Sequence, residues 1–492
     1  MDLARQEERE AYKALRRENK DVWSRLASIA HDAQYVEDVR GACYPLPLVA
    51  NLRCGAWYTD PAHLVSTAYF KSTDGHMHQW DFSLKRANLH LVHVIQSPDV
   101  DSALTGCLII DSTRRGKRYP DALSKTVPIW CAVLNRASHR VHATPALIPA
   151  LQVPLDQISQ SEQAQIEARL DVWVDKLCAS DLPVPRLAKP LHPVFVHAPH
   201  IPTLSSDVQH HVVLVSVSPS LPPPSFRTMH ASYVQGAGDD HEAWAHGLTP
   251  RLFWRHKRQL MAPELQRDER IQLVCDIVKT EREQAGQVAW LSSHDTAIQI
   301  EGTPIFIQAL PATHMFSERD RASYALIIHC AQPDTSPHVL GLGLDASKRG
   351  LNAFSAALPR VVDTVTDVLR KEAHGRGVLL CCTDGGQLSG AMVVAILAAS
   401  FDRHRHFLGV GDDAYARLTQ HRRQLSKDDT QRRLQWLTTS WMHASPSRAH
   451  LQRVEAHPVG PFPPRALVDI EAYITSSCIN STRESLTATA VV

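Results

Sequence analysis

The feature that most constrains this chain is an apolar strand, a glycine-containing turn and an apolar helix in direct succession near residue 380. Gly377–Cys382 is short and apolar, which predicts a buried strand, and Ser389–Ala399 is long and apolar enough to predict a buried helix. Upstream, Ala325–Cys330 and Val339–Leu344 predict two more strands, and a helix follows around residues 361–369. Alternating strands and helices of this kind predict an α/β domain with a parallel-type sheet.

The length of 492 residues implies more than one domain, because a single hydrophobic core rarely exceeds about 250–300 residues. We expect a mixed α/β amino-terminal domain over residues 1–310 and an α/β carboxyl-terminal domain over residues 311–492. No apolar run reaches membrane-spanning length, no secretory signal opens the chain, and the ten cysteines lack paired metal-site spacing. These features predict a cytosolic or nuclear protein with reduced thiols and no membrane contact. We expect it to be cytoplasmic and monomeric.

Charge is distributed unevenly along the chain. The whole sequence carries a formal net charge of +1, which by itself argues against a nucleic-acid partner. Residues 111–125, however, hold five cations against two carboxylates, and residues 403–433 hold eight against four. The second stretch is either a solvated helical face or a surface that follows an RNA backbone. Its candidate RNA-binding residues are Arg403, Arg405, Arg422, Arg423, Arg432 and Arg433.

The turn between the predicted strand and helix near residue 380 is a candidate phosphate loop, since backbone amides at a helix start bind phosphate without a charged side chain. Its residues are Cys382, Thr383, Asp384, Gly385, Gly386, Gln387, Leu388 and Ser389. The register resembles the signature loop of dual-specificity phosphatases. Cys381 stands in place of that family's histidine, and Leu388 stands in place of its arginine. This resemblance implies a phosphatase-like domain that no longer hydrolyses phosphate and instead binds a nucleic-acid phosphate; the alternative is an ordinary strand-to-helix turn.

Two amino-terminal segments combine hydroxyls, cations and carboxylates next to apolar strands. The first is Tyr69–His76, and the second runs from Leu108 to Thr126 with Asp111 at the end of its apolar part. Hydroxyls and amides hold phosphate oxygens, cations neutralise them, and carboxylates take ribose hydroxyls or Mg²⁺. The composition therefore suits a phosphorylated ligand, although a solvated basic turn is the alternative.

A third segment, Gln235–Trp244, is a glycine-containing turn into a helix. Asp239 or Asp240 would cap that helix in the simplest interpretation. The glycines would equally let the backbone approach a diphosphate.

These segments together resemble the initiator tRNA phosphoribosyltransferase family. The matching stretches are Ala68–His76, Asp111–Asn135, Tyr233–Trp254, the loop near Cys382, and Asp429–Glu455. The resemblance implies transfer of ribose 5-phosphate from phosphoribosyl pyrophosphate to the 2′-hydroxyl of a T-stem adenosine in initiator methionine tRNA. Such a mark keeps that tRNA out of elongation. The family also carries a dual-specificity-phosphatase-like carboxyl-terminal domain, in agreement with the loop.

The resemblance and the chemistry of the transfer imply provisional roles for the amino-terminal residues. Cations would stabilise the leaving diphosphate, together with Mg²⁺, and hydroxyls would hold the 5-phosphate. The candidate substrate-binding residues are Lys71, Ser72, Thr73, Gly75, Ser112, Thr113, Arg114, Arg115, Lys117, Arg118, Ser124 and Lys125. A carboxylate or histidine would orient the ribose, bind metal or take the proton of the attacking hydroxyl. The candidate catalytic residues are Asp74, Asp111, Asp121 and His76, with His90 as a further possible base.

Two other functions stay open at the level of sequence. One is a phosphatase that acts through Cys382, against which Leu388 at the arginine position argues. The other is a protein that binds initiator tRNA without catalysis, for which Asp111 and Arg114 would be dispensable.

Overall fold

The chain divides into two compact units in the computed structural model, Met1–Glu281 and Arg282–Val492. The structure describes residues 21–72, 78–96, 104–143, 149–204, 208–224, 226, 231–285, 297–333, 336, 338–372, 375–441 and 444–456. Strands at residues 298–299 and 305–309 pair within the second unit, whereas the sequence analysis assigned them to the first. Among the described residues, no helix is long and apolar enough to cross a membrane.

The first unit is built on a five-stranded parallel sheet, which confirms the predicted α/β class. Its strands are β1 (Leu48–Asn51), β2 (Leu64–Ala68), β3 (Gly106–Asp111), β4 (Leu191–His197) and β5 (His210–Ser216), in the order β2-β1-β3-β5-β4. Its helices are Val22–Ala42, Gly55–Tyr58, His90–Gln96, Val127–His142, Gln160–Glu167, Leu170–Cys178 and Pro250–Leu260, and Arg267–Ala285 begins in this unit. A π-helical turn, Ala122–Thr126, precedes the helix Val127–His142.

The sheet order identifies where a ligand would bind. β3 and β5 are buried throughout, as expected for apolar parallel strands covered on both faces. The strand order changes direction between β1 and β3, and open parallel sheets bind ligands outside the strand ends at such a point. Asn51 and Asp111 end these two strands, so they flank the expected crevice.

The second unit contains a second five-stranded sheet. Its strands are β6 (Ile298–Gln299), β7 (Ile305–Ala309), β8 (Leu326–His329), β9 (Val339–Gly341) and β10 (Val378–Cys382), in the order β6-β7-β10-β8-β9. β6 alone is antiparallel to its neighbour among these pairs, so the predicted parallel-type sheet is confirmed. The helices are Glu318–Ser323, Leu351–Lys371, Leu388–Ser400, Ala414–Arg423, Lys427–Ser440 and Arg448–Ala456.

Two elements differ from the pattern of the sequence. The spacing of Ile166, Leu170, Trp173 and Leu177 predicts one amphipathic helix over residues 161–179, but the structure has two helices, Gln160–Glu167 and Leu170–Cys178, since the chain leaves helical hydrogen bonding between them. The apolar run at residues 212–217 predicts a strand, but the strand begins earlier, because it pairs with β4 from His210 and with β3 from His211. The apolar helix after β10 is confirmed, and every residue of Leu388–Ser400 is buried.

Candidate functional site

Asp111 lies at the carboxyl end of β3 and is completely buried. Its carboxylate accepts hydrogen bonds from Asn51 Nδ2 at 2.7 Å, from Cys54 Sγ at 2.9 Å and from its neighbour's amide, Ser112 N, at 2.8 Å. Arg53 completes the set, with its Nη2 3.1 Å from Oδ1 and its Nε 3.2 Å from Oδ2. These donors occupy the acceptor positions of both oxygens. Asp111 is therefore placed to orient Arg53 and the loop after β3, and it has no oxygen left to act as a general base.

Arg53 connects that carboxylate to a distant segment. Its Nη1 lies 3.2 Å from Asp239 Oδ2, and Arg114 Nε lies 3.4 Å from the same oxygen. Arg114 also pairs with Asp240 through its Nη1. Burial disfavours the charge of Arg53, yet Asp111 and Asp239 outweigh it and raise the pKa of the guanidinium. The result is a charge network that joins the loops after β1 and β3 to residues 239–240.

The glycine-containing segment packs against the loop after β3. Gly236 has φ +68°, and a Cβ there would lie 2.5 Å from Thr113 O, so only glycine allows this approach. The amide of Gly238 donates to Tyr58 Oη at 2.9 Å. Asp240 is the N-cap residue of a short helical turn but makes no capping hydrogen bond with its side chain. The capping interpretation is therefore wrong for this side chain, which pairs with Arg114 instead.

The predicted hydroxyls of the loop after β3 lie inside the protein. Ser112 and Thr113 are both buried, and Ser112 Oγ is 3.0 Å from Cys54 Sγ. Ser124 is buried too and donates to Pro120 O at 3.2 Å. Their expected contact with a 5-phosphate is not pre-formed, because these hydroxyls already have protein partners or are covered by neighbouring residues.

The predicted cations of the same region are exposed or lie at the surface. Arg115 is exposed, with its backbone in the left-handed region at φ 58°. Arg118 is exposed and pairs with Asp156. Lys117 and Lys125 both approach Asp121, with Nζ–O distances of 3.3 and 3.5 Å. The structure thus places Asp121, the residue before the π-helical turn, between two lysines and leaves a cationic rim beside the buried Asp111.

The first predicted segment is only partly described. Lys71 is exposed, Ser72 is half-buried, and the backbone oxygen of Lys71 accepts a hydrogen bond from Thr126 Oγ1 at 2.9 Å. Thr73, Asp74, Gly75 and His76 lie outside the described residues.

The alternative base His90 is tied to the protein backbone. Its Nε2 lies 2.9 Å from Thr67 O, so this ring nitrogen is engaged in holding β2. That contact favours a structural role for His90.

A cavity of about 610 Å³, not predicted from the sequence, lies beyond the carboxyl end of β2. Lys71, Lys125 and Thr126 lie in its wall, so the two predicted segments meet there. The rest of the wall consists largely of aromatic rings and two arginines. These additional lining residues include Tyr69, Phe70, Trp80, Phe82, Trp130, Arg86 and Arg169.

The candidate phosphate loop of the second unit is occupied by one of its own side chains. Asp384 Oδ1 accepts hydrogen bonds from the amides of Gly386 at 3.0 Å and Gln387 at 3.1 Å. Cys382 Sγ donates to the same oxygen at 3.0 Å. A phosphate would have to displace this carboxylate, so the expected nucleic-acid phosphate site is not open in this loop.

The chemistry of Cys382 also differs from that of a phosphatase nucleophile. Burial and the neighbouring Asp384 carboxylate raise the pKa of the thiol to about 12. Ser389 Oγ lies 2.9 Å from the sulfur, and Leu388, at the arginine position, is buried. Since the thiolate is the reactive form, a thiol with this pKa is a poor nucleophile at neutral pH.

Three of the six predicted RNA-binding arginines, Arg405, Arg422 and Arg433, donate hydrogen bonds to backbone carbonyls of the protein. Arg422 and Arg433 are buried, and they donate to carbonyls at the end of the helix Leu388–Ser400. Arg422 also pairs with Asp363 at 2.6 Å, while Arg405 donates to Glu301 O at 2.5 Å. A helix end needs such donors for its last carbonyls. The RNA-binding prediction is therefore wrong for Arg422 and Arg433, which solvent does not reach.

The other three arginines of that stretch are at the surface. Arg403, Arg423 and Arg432 are exposed and lie on the loop after the apolar helix or on the two helices that follow it. Their contact with RNA stays a prediction.

Sequence reasoning missed four residues of the first unit: Asn51, Arg53, Cys54 and Asp239. A signal for the first three was present, since polar residues follow the apolar strand Leu48–Asn51 as they follow β3. Asp239 was noticed only as a possible helix cap. Its pairing with Arg53, 186 residues earlier, has no local signal.

The structure offers no preformed metal cage among the residues that it describes, since no three His, Cys, Asp or Glu side chains cluster there as metal ligands. Mg²⁺ commonly binds through one or two carboxylates plus substrate phosphates and water. Asp121 would supply such a carboxylate only if the metal took the place of Lys117 or Lys125 at one of its oxygens, with the diphosphate supplying the remaining ligands.

Fold and site together define a two-unit α/β protein that has a charged crevice in its first unit and a phosphatase-like second unit. The profile of the Rit1 N-terminal domain matches residues 15–279, and that of the Rit1 DUSP-like domain matches residues 338–457. The chain therefore belongs to the Rit1 family.

Two curated relatives match most of the chain. An uncharacterised protein of Schizosaccharomyces pombe is 32% identical over 444 residues, which cover 88% of this chain and 93% of the relative. The tRNA A64-2′-O-ribosylphosphate transferase of Saccharomyces cerevisiae is 28% identical over 438 residues, which cover 79% of this chain and 84% of the relative.

Solved phosphatase structures match about a third of the chain. The Yvh1 phosphatase domain of Chaetomium thermophilum is 18% identical, covers 33% of this chain and 95% of its own, and gives a TM-score of 0.24. Human DUSP28 is also 18% identical and covers 32% of this chain and 93% of its own, with a TM-score of 0.22.

Proposed function

We propose that this protein transfers ribose 5-phosphate from phosphoribosyl pyrophosphate to the 2′-hydroxyl of a T-stem adenosine in initiator methionine tRNA. The observation that carries the proposal is the similarity, over most of both chains, to a yeast enzyme named as a tRNA A64-2′-O-ribosylphosphate transferase. The charged crevice at the carboxyl ends of β1 and β3 supports it, because this is where parallel α/β sheets bind phosphorylated ligands. The added phosphate would keep the tRNA out of elongation.

The reaction exchanges one bond at the anomeric carbon for another. The bond from C1 of the donor ribose to the pyrophosphate oxygen breaks, and its electron pair leaves with pyrophosphate. The 2′-oxygen of the RNA forms the new bond to C1 and gives up its proton. The enzyme must therefore neutralise a growing diphosphate charge and accept one proton.

The cationic rim of the first unit suits the diphosphate. Arg115, Lys117 and Arg118 are exposed within four residues of one another, directly after the buried Asp111 network. Arg114 is already paired with Asp239 and Asp240, so it serves chiefly to hold the loop. We assign the leaving group to these three exposed cations, Arg115, Lys117 and Arg118.

Asp111 has a positioning role in this scheme. Its carboxylate holds Arg53 and thereby the loops after both β1 and β3. The proton acceptor is then Asp121 or one of the predicted residues Asp74 and His76. Asp121 differs from Asp111 because its partners are lysines at the rim and not buried donors.

A transfer assay with donor labelled in the ribose tests the proposal. Purified protein, initiator methionine tRNA and Mg²⁺ should give labelled RNA, and chelation of the metal should stop the transfer until Mg²⁺ is restored. An elongator methionine tRNA serves as the substrate control. Unlabelled initiator tRNA after incubation with active, folded protein would rule the proposal out.

A matched pair of variants tests whether the cationic rim binds the leaving diphosphate. Arg115→Ala should lower the transfer rate about ten-fold or more, because an aligned charge on the leaving group is lost. Arg140→Ala is the control: this arginine is also exposed, but it pairs with Asp175 on a neighbouring helix. Equal rates for the two variants would remove the rim from the mechanism.

The two alternatives predict different results. A phosphatase acting through Cys382 needs a reactive thiolate, and the raised pKa of that thiol argues against it. A tRNA-binding protein without catalysis would bind initiator tRNA but leave no label on it, whatever residue stands at Arg115.

A further inference from the structure

The cavity beyond β2 differs in composition from the cationic rim that we assign to the donor. About 610 Å³ in volume, it falls within the range of small-ligand pockets. Five of its lining side chains are aromatic: Tyr69, Phe70, Trp80, Phe82 and Trp130. Phosphoribosyl pyrophosphate contains no aromatic or extended apolar group, so it would not stack on these aromatic rings.

The aromatic walls are held in place by hydrogen bonds that leave their rings as apolar surface. Trp130 Nε1 donates to Ala87 O at 2.7 Å, and Trp80 Nε1 donates to Glu162 Oε1 at 3.0 Å. Because both indole N–H groups have protein acceptors, the rings present hydrophobic faces and edges to a ligand.

The tyrosine at the mouth is also fixed by its backbone. Asn88 accepts a hydrogen bond from Tyr69 N and donates one to Tyr69 O, both at 3.2 Å. Tyr69 is 37% exposed as a residue, so it is accessible to a partner. A rigid, accessible aromatic ring at a cavity mouth costs little entropy when a second ring stacks on it.

Cations surround these rings. Arg86 lies over the Tyr69 ring at 5.1 Å, and Arg169 lies over the Trp80 ring at 5.1 Å. Lys71 and Lys125 line the same cavity, Lys125 pairs with Glu162 at 2.9 Å, and Asp81 is the one carboxylate among the described residues that line it. An aromatic interior with a cationic margin matches a base attached to a phosphate-bearing backbone.

The cavity is also linked to the charge network of the crevice. Asn51 donates to Asp111 at 2.7 Å and holds both backbone groups of Phe70, with N–O distances of 2.8 and 3.1 Å. A single side chain thus connects the carboxyl end of β3 to the cavity wall. The cavity wall and the crevice are therefore adjacent, one side chain apart.

We propose that the cavity receives an unstacked base of the acceptor RNA and that its cations bind an adjoining phosphate. This proposal rests on the proposed function and adds to it a subsite for the RNA, separate from the diphosphate rim. Proteins read RNA mainly through bases that have left the stack, which bind on aromatic side chains. The cavity supplies that kind of surface next to the site of transfer.

Affinity measurements on the full chain test the proposal through two pairs of variants. Tyr69→Leu should weaken binding of initiator tRNA about five- to one-hundred-fold, since a base stacked on an aromatic ring contributes about 1–3 kcal/mol. Tyr69→Phe keeps the ring and should bind within about two-fold of the wild type. Arg169→Gln should weaken binding and reduce the salt dependence by about one ion, whereas the control Arg140→Gln should change neither.

Binding of phosphoribosyl pyrophosphate, measured separately, should be the same in all four variants. Unchanged tRNA affinity in both Tyr69→Leu and Arg169→Gln would overturn the proposal. A loss of donor affinity with normal tRNA affinity would also overturn it, because the cavity would then belong to the donor.

A probe independent of tRNA separates this proposal from the proposed function. Adenosine 5′-monophosphate should quench the fluorescence of the cavity tryptophans in a saturable way, and Tyr69→Leu should weaken that quenching. If the wild type neither binds nor modifies initiator tRNA, the proposed function fails, and this titration still decides the cavity. Absence of saturable quenching in the folded wild type would then overturn the base site as well.

Discussion

Each unit of the molecule places a buried thiol against a carboxylate at the end of a parallel strand. In the first unit, Cys54 Sγ lies 2.9 Å from Asp111; in the second, Cys382 Sγ lies 3.0 Å from Asp384. The remaining partners differ. Asp111 is neutralised by Arg53, from another strand end, whereas Asp384 accepts amides within three residues of itself.

This difference shows why one strand-end loop can bind an anion and the other cannot. Arg53 binds Asp111 and Asp239 together, so the first network holds three segments in place and leaves exposed cations beside them. The second loop satisfies its own amides with its own carboxylate. Its helix start therefore offers no open anion site, even though its glycines and its register look like those of a phosphate loop.

The largest expected effect comes from removing the shared cation of the first network. Arg53→Met leaves the buried Asp111 without its counter-charge and should cost about 3–5 kcal/mol of stability. Native-state hydrogen exchange of β1 and β3 measures this loss. The control Arg40→Met removes a partly exposed pair with Glu37 and should cost about 0–1 kcal/mol. Similar losses in the two variants would show that the buried network does not hold the site.

A second test concerns two adjacent arginines of the second unit. Arg422→Gln removes a buried contact with Asp363 and with the end of the apolar helix, so it should cost about 2–4 kcal/mol. Arg423→Gln, at an exposed position, should cost less than about 0.5 kcal/mol. Hydrogen exchange in Leu388–Ser400 distinguishes them. A larger loss for Arg423→Gln would contradict the assignment of Arg422 as structural.

A smaller effect is expected from opening the second loop. Asp384→Ala frees the amides of Gly386 and Gln387 and should cost about 1 kcal/mol, as loss of a helix-capping acceptor does. Inorganic phosphate should then raise the melting temperature of the variant more than that of the wild type. Asp384→Asn keeps an acceptor oxygen and is the control. An equal response to phosphate in all three proteins would mean that the carboxylate does not block the loop.

The smallest effect on activity is expected at Cys382. Burial and Asp384 raise the pKa of its thiol from about 9 to about 12. The protonated thiol therefore contributes its full stability to the fold below about pH 9, and that contribution is lost as the pH rises toward about 12. Cys382→Ser should therefore leave the transfer rate within about two-fold at pH 7. Alkylation of Cys382 in the wild type should be slow at pH 7–9 and faster in Asp384→Asn. Loss of transfer in the serine variant would restore a catalytic role for this thiol.

Local pattern was sufficient for the parts of the molecule that depend on neighbours in the chain. The apolar run after residue 388 predicted a buried helix, and the strand before it predicted a parallel sheet, because burial and periodicity are properties of short segments. The charge run at 403–433 was a weaker guide. Arg422 and Arg423 are the same residue type at adjacent positions, yet Arg422 is buried and Arg423 is exposed, since consecutive helical residues face different directions.

The sequence by itself determined the α/β class, the presence of a phosphatase-like loop and the family, since these follow from local periodicity and long matching strings. Only the tertiary structure decided which charged side chains form ion pairs with one another. Arg53 and Asp239 are 186 residues apart, and the cavity beyond β2 is assembled from segments between Tyr69 and Arg169. The physical reason is that a charge or ring acquires its partner from the packing of distant strands and loops, which no short stretch of sequence encodes.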